Sequence, residues 1–271
     1  MSKKQGKGKT VKVRDFKNTR SPKRNRVKIT LKDKLDEIYN SSACLDTTCQ
    51  SNCICCKTAM PQMNYCEFCQ LADEIWRTTS RSEQIKLICS SIEYFFRNEF
   101  EKWGKESLIK PCLLLADDGK CRFYMSRPLS CRMYGLWPES TYNARVDKFE
   151  KAYEGLLKRE ELPLNKQCPY VKRTDETVPL TDDLINYLYK QLDELDKKIG
   201  GFSDLKIGQR ENYRTFHDWL LLKIFGEEWL VKLTQFMIGA KREIIEEQIV
   251  AIKSAVVNNF AKEMPNLRME M

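Results

Sequence analysis

Four cysteines fall within the run TTCQSNCICCK: Cys49, Cys53, Cys55 and Cys56, the last two adjacent. No other feature constrains the fold as strongly. Ordinary packing has no use for neighbouring cysteines beside two more, whereas thiolates that converge on a soft metal require such crowding. A second run, CLLLADDGKCRFYMSRPLSCRMYGLWP, spaces Cys112, Cys121 and Cys131 across two turn signals, Asp118-Gly119 and Arg127-Pro128. The chain has twelve cysteines and none beyond Cys168. The front of the chain therefore reads as a region closed by metal–thiolate bonds.

Composition decides between metal and disulfide. The 271 residues are 42% hydrophobic and 31% charged, a globular balance long enough to bury a substantial core. No apolar stretch approaches the roughly 18 residues that suggest a membrane span. The basic N-terminus is followed by no apolar segment of the secretory type. The expectation is a cytoplasmic protein without membrane association. Thiols stay reduced in that compartment, so clustered cysteines favour metal.

The net charge of +9 is unevenly placed. Residues 1–34 hold fourteen Lys or Arg against Asp15 and Asp33, a sum of +12, which leaves −3 for the rest. Such a segment cannot bury enough surface to offset its ordering entropy and reads as a disordered basic tail. It is either an arm for nucleic acid or another anionic surface, or a solubilising extension.

Residues 35–175 read as the cysteine-cluster metal-binding domain and 176–271 as a helical C-terminal region. Residues 35–43 suggest a short lead-in helix. The segment 44–70 is rich in cysteine and poor in large aliphatics, so metal would order it. Cys66-Glu-Phe-Cys69 is a CxxC, a common half of a zinc or iron–sulfur site. Cys44, Cys66 and Cys69 receive no assigned role. The spacing predicts a helix over 82–103 capped by Ser80 or Ser82, with Cys89 packed as a small hydrophobe between Ile88 and Ile92. A hairpin at Asp117-Asp118-Gly119 would bring Cys112 beside Cys121, and the turn at Arg127-Pro128 would return Cys131. Further helices are predicted over 143–161, from Thr181, from Thr215 with a break at Gly226, and over 241–262. The fold class expected is mainly α: a metal-stapled, cysteine-rich region with little β, packed with amphipathic helices.

His217 is the only histidine, which excludes Cys2His2 ligation. The candidate ligands are Cys49, Cys53, Cys55, Cys56, Cys112, Cys121, Cys131 and Cys168. Both zinc and an iron–sulfur cluster accept all-cysteine ligation. Arg127 and Arg132 flank two of the proposed thiolates, where their charge would offset the anionic cluster. Tyr124 beside them would pack or donate to a sulfur. No GxGxxG or Walker loop is present.

The stretch Cys121-Arg-Phe-Tyr-Met-Ser-Arg-Pro-Leu-Ser-Cys131-Arg132 resembles the signature of the YkgJ-type cysteine-cluster proteins, a zinc- or iron-chelating family with an N-terminal CxxCxxCC motif. Here Cys49-x3-Cys53-x-Cys55-Cys56 keeps the span and the terminal pair but shifts one cysteine by a position. More distantly the arrangement is similar to flagellin lysine-N-methylases. That resemblance implies an iron–sulfur cluster, S-adenosylmethionine and a protein lysine as substrate. The alternative is a non-catalytic, zinc-stabilised interaction module whose arm, residues 1–34, binds nucleic acid or an acidic partner. Cys49-x3-Cys53-x2-Cys56 also satisfies the CxxxCxxC pattern of radical S-adenosylmethionine enzymes. Those are β/α barrels, and this chain lacks the alternating strands.

Overall fold

The structure, a computed structural model, describes residues 30–41, 54–98, 111–155, 157–162, 168, 171, 180–200 and 213–260. Among these residues the chain is mainly α, with ten helices and one two-stranded sheet. The first helix, α1 (Leu31–Asn40), begins inside the segment read as tail. Its capping box explains why: the Asp33 N–H donates to Thr30 Oγ1 at 3.2 Å, and the Thr30 N–H donates to Asp33 Oδ2 at 2.9 Å. Leu31, Leu35 and Tyr39, four residues apart, bury one face. The rest of the basic tail, residues 1–29, lies outside the described residues.

The chain continues through α2 (Ile54–Thr58), β1 (Gln62–Asn64), α3 (Tyr65–Thr78) and α4 (Arg81–Asn98). Ser80 caps α4, exchanging hydrogen bonds with Glu83 as the sequence suggests. Beyond Asn98, the end of that predicted helix falls outside the described residues. After a hairpin come α5 (Leu129–Met133) and α6 (Glu139–Ala152). The latter starts four residues before the predicted 143, with Pro138 as its N-cap. It ends at Ala152, and a separate 3-10 turn covers Arg159–Glu161.

The C-terminal part contains α7 (Asp182–Lys198), β2 (Tyr213–Thr215), α8 (Phe216–Phe225), α9 (Glu227–Gly239) and α10 (Arg242–Phe260). Thr181 and Thr215 cap α7 and α8, the helices expected to begin there. On α8, Phe216, Trp219, Leu220, Leu221, Leu222 and Ile224 are all buried. A helix apolar on every side has no solvent face and takes the centre of a domain. Accordingly α3, α4 and α9 all pack against α8, and α4 also packs against α10. Each fully buried large side chain there contributes about 1.5–3 kcal/mol.

The composition change near residue 176 does not divide the core. One continuous apolar cluster runs from Leu31 to Phe260. Its seam is the antiparallel pair β1–β2, with Met63 opposite Arg214, and Trp219 donates its indole N–H to the Met63 carbonyl at 3.0 Å. No helix among the described residues is long and apolar enough to cross a membrane.

Candidate metal centre

Separate segments bring cysteines to one place. The short helix α2 carries Cys55 and Cys56, and the Cys112 N–H donates to the Cys56 carbonyl at 2.6 Å, tying the next segment to it. A hairpin then forms around Asp117-Asp118-Gly119, as predicted. The Ala116 N–H donates to Lys120 O at 2.8 Å, the Arg122 N–H to Leu114 O at 3.1 Å, and Leu115 bridges Cys121. Pro128, extended at ψ 163°, turns the chain into α5, which carries Cys131. Cys168 arrives through a close approach. Gly135 has φ +88°, and a Cβ there would lie 3.0 Å from both Cys168 Cβ and Val171 Cγ2. Only glycine satisfies that conformation and that contact together.

Six of the eight candidate ligands, Cys55, Cys56, Cys112, Cys121, Cys131 and Cys168, therefore line a single cavity. Cys49 and Cys53 lie outside the described residues, just ahead of α2. The cavity leaves about 40 Å³ that a water-sized sphere can reach, room for an ion or a few atoms. Its other walls are mostly apolar and include Met63, Leu71 and Phe123.

The thiols act on one another. Cys55 Sγ and Cys56 Sγ are 3.9 Å apart, and Cys112 Sγ lies 3.6 Å from Met60 Sδ. Hydrogen bonding to Cys121 and Cys55 keeps the proton on Cys56, whose thiol is pushed up. The same bonds favour thiolate on the partners. Cys55 is held below its ordinary value, and Cys121 falls to about 7. Burial pushes Cys131 up, the charges of Cys55, Cys112 and Cys121 add to this, and Arg127 opposes it.

Arg127 is thus the cation beside the thiolates. Its guanidinium lies 3.5 Å over the Tyr124 ring, and its Nε donates to Tyr124 O at 2.9 Å. Tyr124 packs against Arg127. Arg132 also lines the cavity, but its donors secure the loop backbone: Nε to Arg127 O at 2.9 Å and Nη2 to Met125 O at 2.7 Å.

The remaining cysteines stand elsewhere. Cys66 and Cys69 lie on the buried face of α3 and do not line the cavity. Burial raises both, Cys69 to about 12. They are core thiols. Cys89 is half-buried on α4 against the core, as expected, and Cys44 lies outside the described residues. His217 is buried 4.5 Å from the Tyr94 ring, 2.9 Å from Thr215 Oγ1 through Nδ1, and burial lowers its pKa. It belongs to the core beside α4.

Two buried carboxylates were not anticipated. Asp196 of α7 accepts from Cys66 N at 2.6 Å and Tyr65 N at 3.2 Å, so a second helix supplies the acceptors for the start of α3. Glu67 accepts from Tyr39 Oη at 2.6 Å, Leu129 N at 2.6 Å and Asn64 N at 2.9 Å, and burial raises it to about 7. The Asn64-x-x-Glu67 spacing is a legible cap signal; nothing in the sequence marks Asp196.

The thiols surround the cavity without closing on one point. Among the described residues, no three His, Cys, Asp or Glu side chains form a ready metal-holding group. Compared with known protein families, curated proteins and solved structures, the chain matches none of them.

Proposed function

We propose that this chain is a metal–thiolate protein. Its cavity takes zinc or an iron–sulfur cluster through Cys55, Cys56, Cys112, Cys121, Cys131 and Cys168, with Cys49 and Cys53 completing the donor set. The observation that carries this reading is the gathering of six cysteines, from Cys55 to Cys168, around one small cavity. The donor set also fits in spacing. Two thiolates on one tetrahedral zinc, each about 2.3 Å from it, have sulfurs about 3.8 Å apart. Cys55 and Cys56 are 3.9 Å apart. Metal binding needs thiolates, and Arg127 supplies positive charge where Cys55, Cys121 and Cys131 would carry negative charge.

Bound zinc would supply a structural crosslink, and a bound cluster would supply electron transfer or a Lewis-acidic iron. The chain's own residues place the sulfurs, surround them with a largely apolar wall and offset charge with Arg127. The lysine-methylation reading, with S-adenosylmethionine and a protein substrate, rests on the distant likeness in cysteine arrangement. The family resemblance rests on the Cys121–Arg132 signature together with the Cys49–Cys56 motif. The interaction-module reading rests on the charge of residues 1–34.

Anaerobic purification followed by elemental analysis and a visible spectrum tests the proposal. Stoichiometric zinc in a colourless sample, or iron with a brown chromophore, supports it. A fully folded sample containing neither metal refutes it.

A further inference from the structure

We infer that Glu67 is the positioning residue for the Cys131 arm of the cavity, an inference that rests on the metal–thiolate reading. The arm is α5, only five residues long. A helix that short has no stability of its own, so its direction is set by what holds it. Three ties do so. The Leu129 N–H, at the first helical position, donates to Glu67 Oε1 at 2.6 Å. Ser130 Oγ donates to Gln62 O at 2.6 Å. The Arg132 guanidinium lies 4.3 Å over the ring of Tyr39.

Glu67 is the node among them. It is 3% exposed, and the same Oε1 that receives Leu129 receives the Tyr39 hydroxyl at 2.6 Å. One oxygen on α3 thus fixes both the start of α5 and the aromatic surface under Arg132. Losing this acceptor leaves a buried N–H unpaired. Leu129 is two residues ahead of Cys131. Partners that orient ligand-bearing groups in this way typically alter metal affinity about 10–100-fold when removed.

Two substitutions separate positioning from simple support of the fold. In E67Q the amide oxygen takes the place of Oε1 and keeps the Tyr39 and Leu129 bonds, losing only the Asn64 N–H. In E67L all three are lost at similar volume. The probe is cobalt(II), whose thiolate charge-transfer band reports the number of bound sulfurs. Wild type and E67Q are expected to share one spectrum and one resistance to a chelator. E67L is expected to lose band intensity and to release cobalt at about 10–100-fold lower chelator concentration. An E67L protein with the wild-type band and retention overturns the inference, as does an E67Q protein that behaves like E67L. A wild-type protein with no thiolate–cobalt band refutes the metal–thiolate reading itself, and this inference with it. If E67L does not fold, amide exchange at Leu129 in the cobalt-loaded wild type decides: protection supports the bond, and exchange at the open-chain rate overturns it.

Discussion

Replacing Gly135 by alanine would strike the cavity where the chain packs against the Cys168 segment. Two costs arise. A residue with a Cβ at φ +88° is strained by about 1–2 kcal/mol. The new carbon would also meet Cys168 Cβ and Val171 Cγ2 at 3.0 Å, and forcing a methyl into such a space typically costs about 1–3 kcal/mol. Gly119 offers the matching control. Its φ is +77°, but nothing lies within 4 Å of an added Cβ, so G119A bears the strain without the clash. The difference between the two variants isolates the contact with the Cys168 segment, at about 1–3 kcal/mol in urea unfolding. Relief of the clash would displace Cys168 from the cavity wall. G135A is therefore expected to hold metal less tightly, while G119A holds it as wild type does. Equal stability of the two variants would refute the close packing. A destabilised G135A that keeps its full metal affinity would remove Cys168 from the ligand set.

Three further outcomes are expected. Cys131→Ser lowers the metal content and Cys89→Ser leaves it unchanged; loss of metal from the Cys89 variant would break the ligand assignment. Glu67, raised to about 7 from an ordinary 4.5, keeps a proton in the native state that the unfolded chain has released, so stability falls as pH rises from about 4.5 to 7, by at most about 3 kcal/mol. Urea midpoints at pH 5 and pH 8 should show a flatter profile for E67Q than for wild type, and parallel profiles would contradict the assignment. Deleting residues 1–34 removes Leu31 and the Thr30 cap, and so costs about 2–4 kcal/mol. Deleting 1–29 spares both, and thermal melts of the two truncations should differ accordingly.

What was legible in the sequence was local. The helix starts at Thr181 and Thr215, the break at Gly226 and the Asp-Asp-Gly hairpin each rest on a few adjacent residues, and the structure has them where expected. The turn at Arg127-Pro128 and the hairpin together explain why spacing alone could anticipate that Cys112, Cys121 and Cys131 share a cavity. Leu31 was hidden because the surrounding lysines masked a short capped pattern. Cys66 and Cys69 share the spacing of a metal half-site, but that same spacing places both on one face of a helix, here the core face. Asp196 could not be read at all, since its role depends on α3, some 130 residues earlier, lying against it.

The pairing of Gln62 with Thr215 also sets an order of events during synthesis. A ribosome adding about 5–20 residues per second takes about 8–30 s to travel between those strands. Until β2 and α8 emerge, β1 lacks its mate, the Met63 carbonyl lacks the Trp219 donor, and the start of α3 waits for Asp196. The residues that line the cavity are therefore all made before the strand and helix that complete the core behind them, and the cysteines must be kept reduced over that interval.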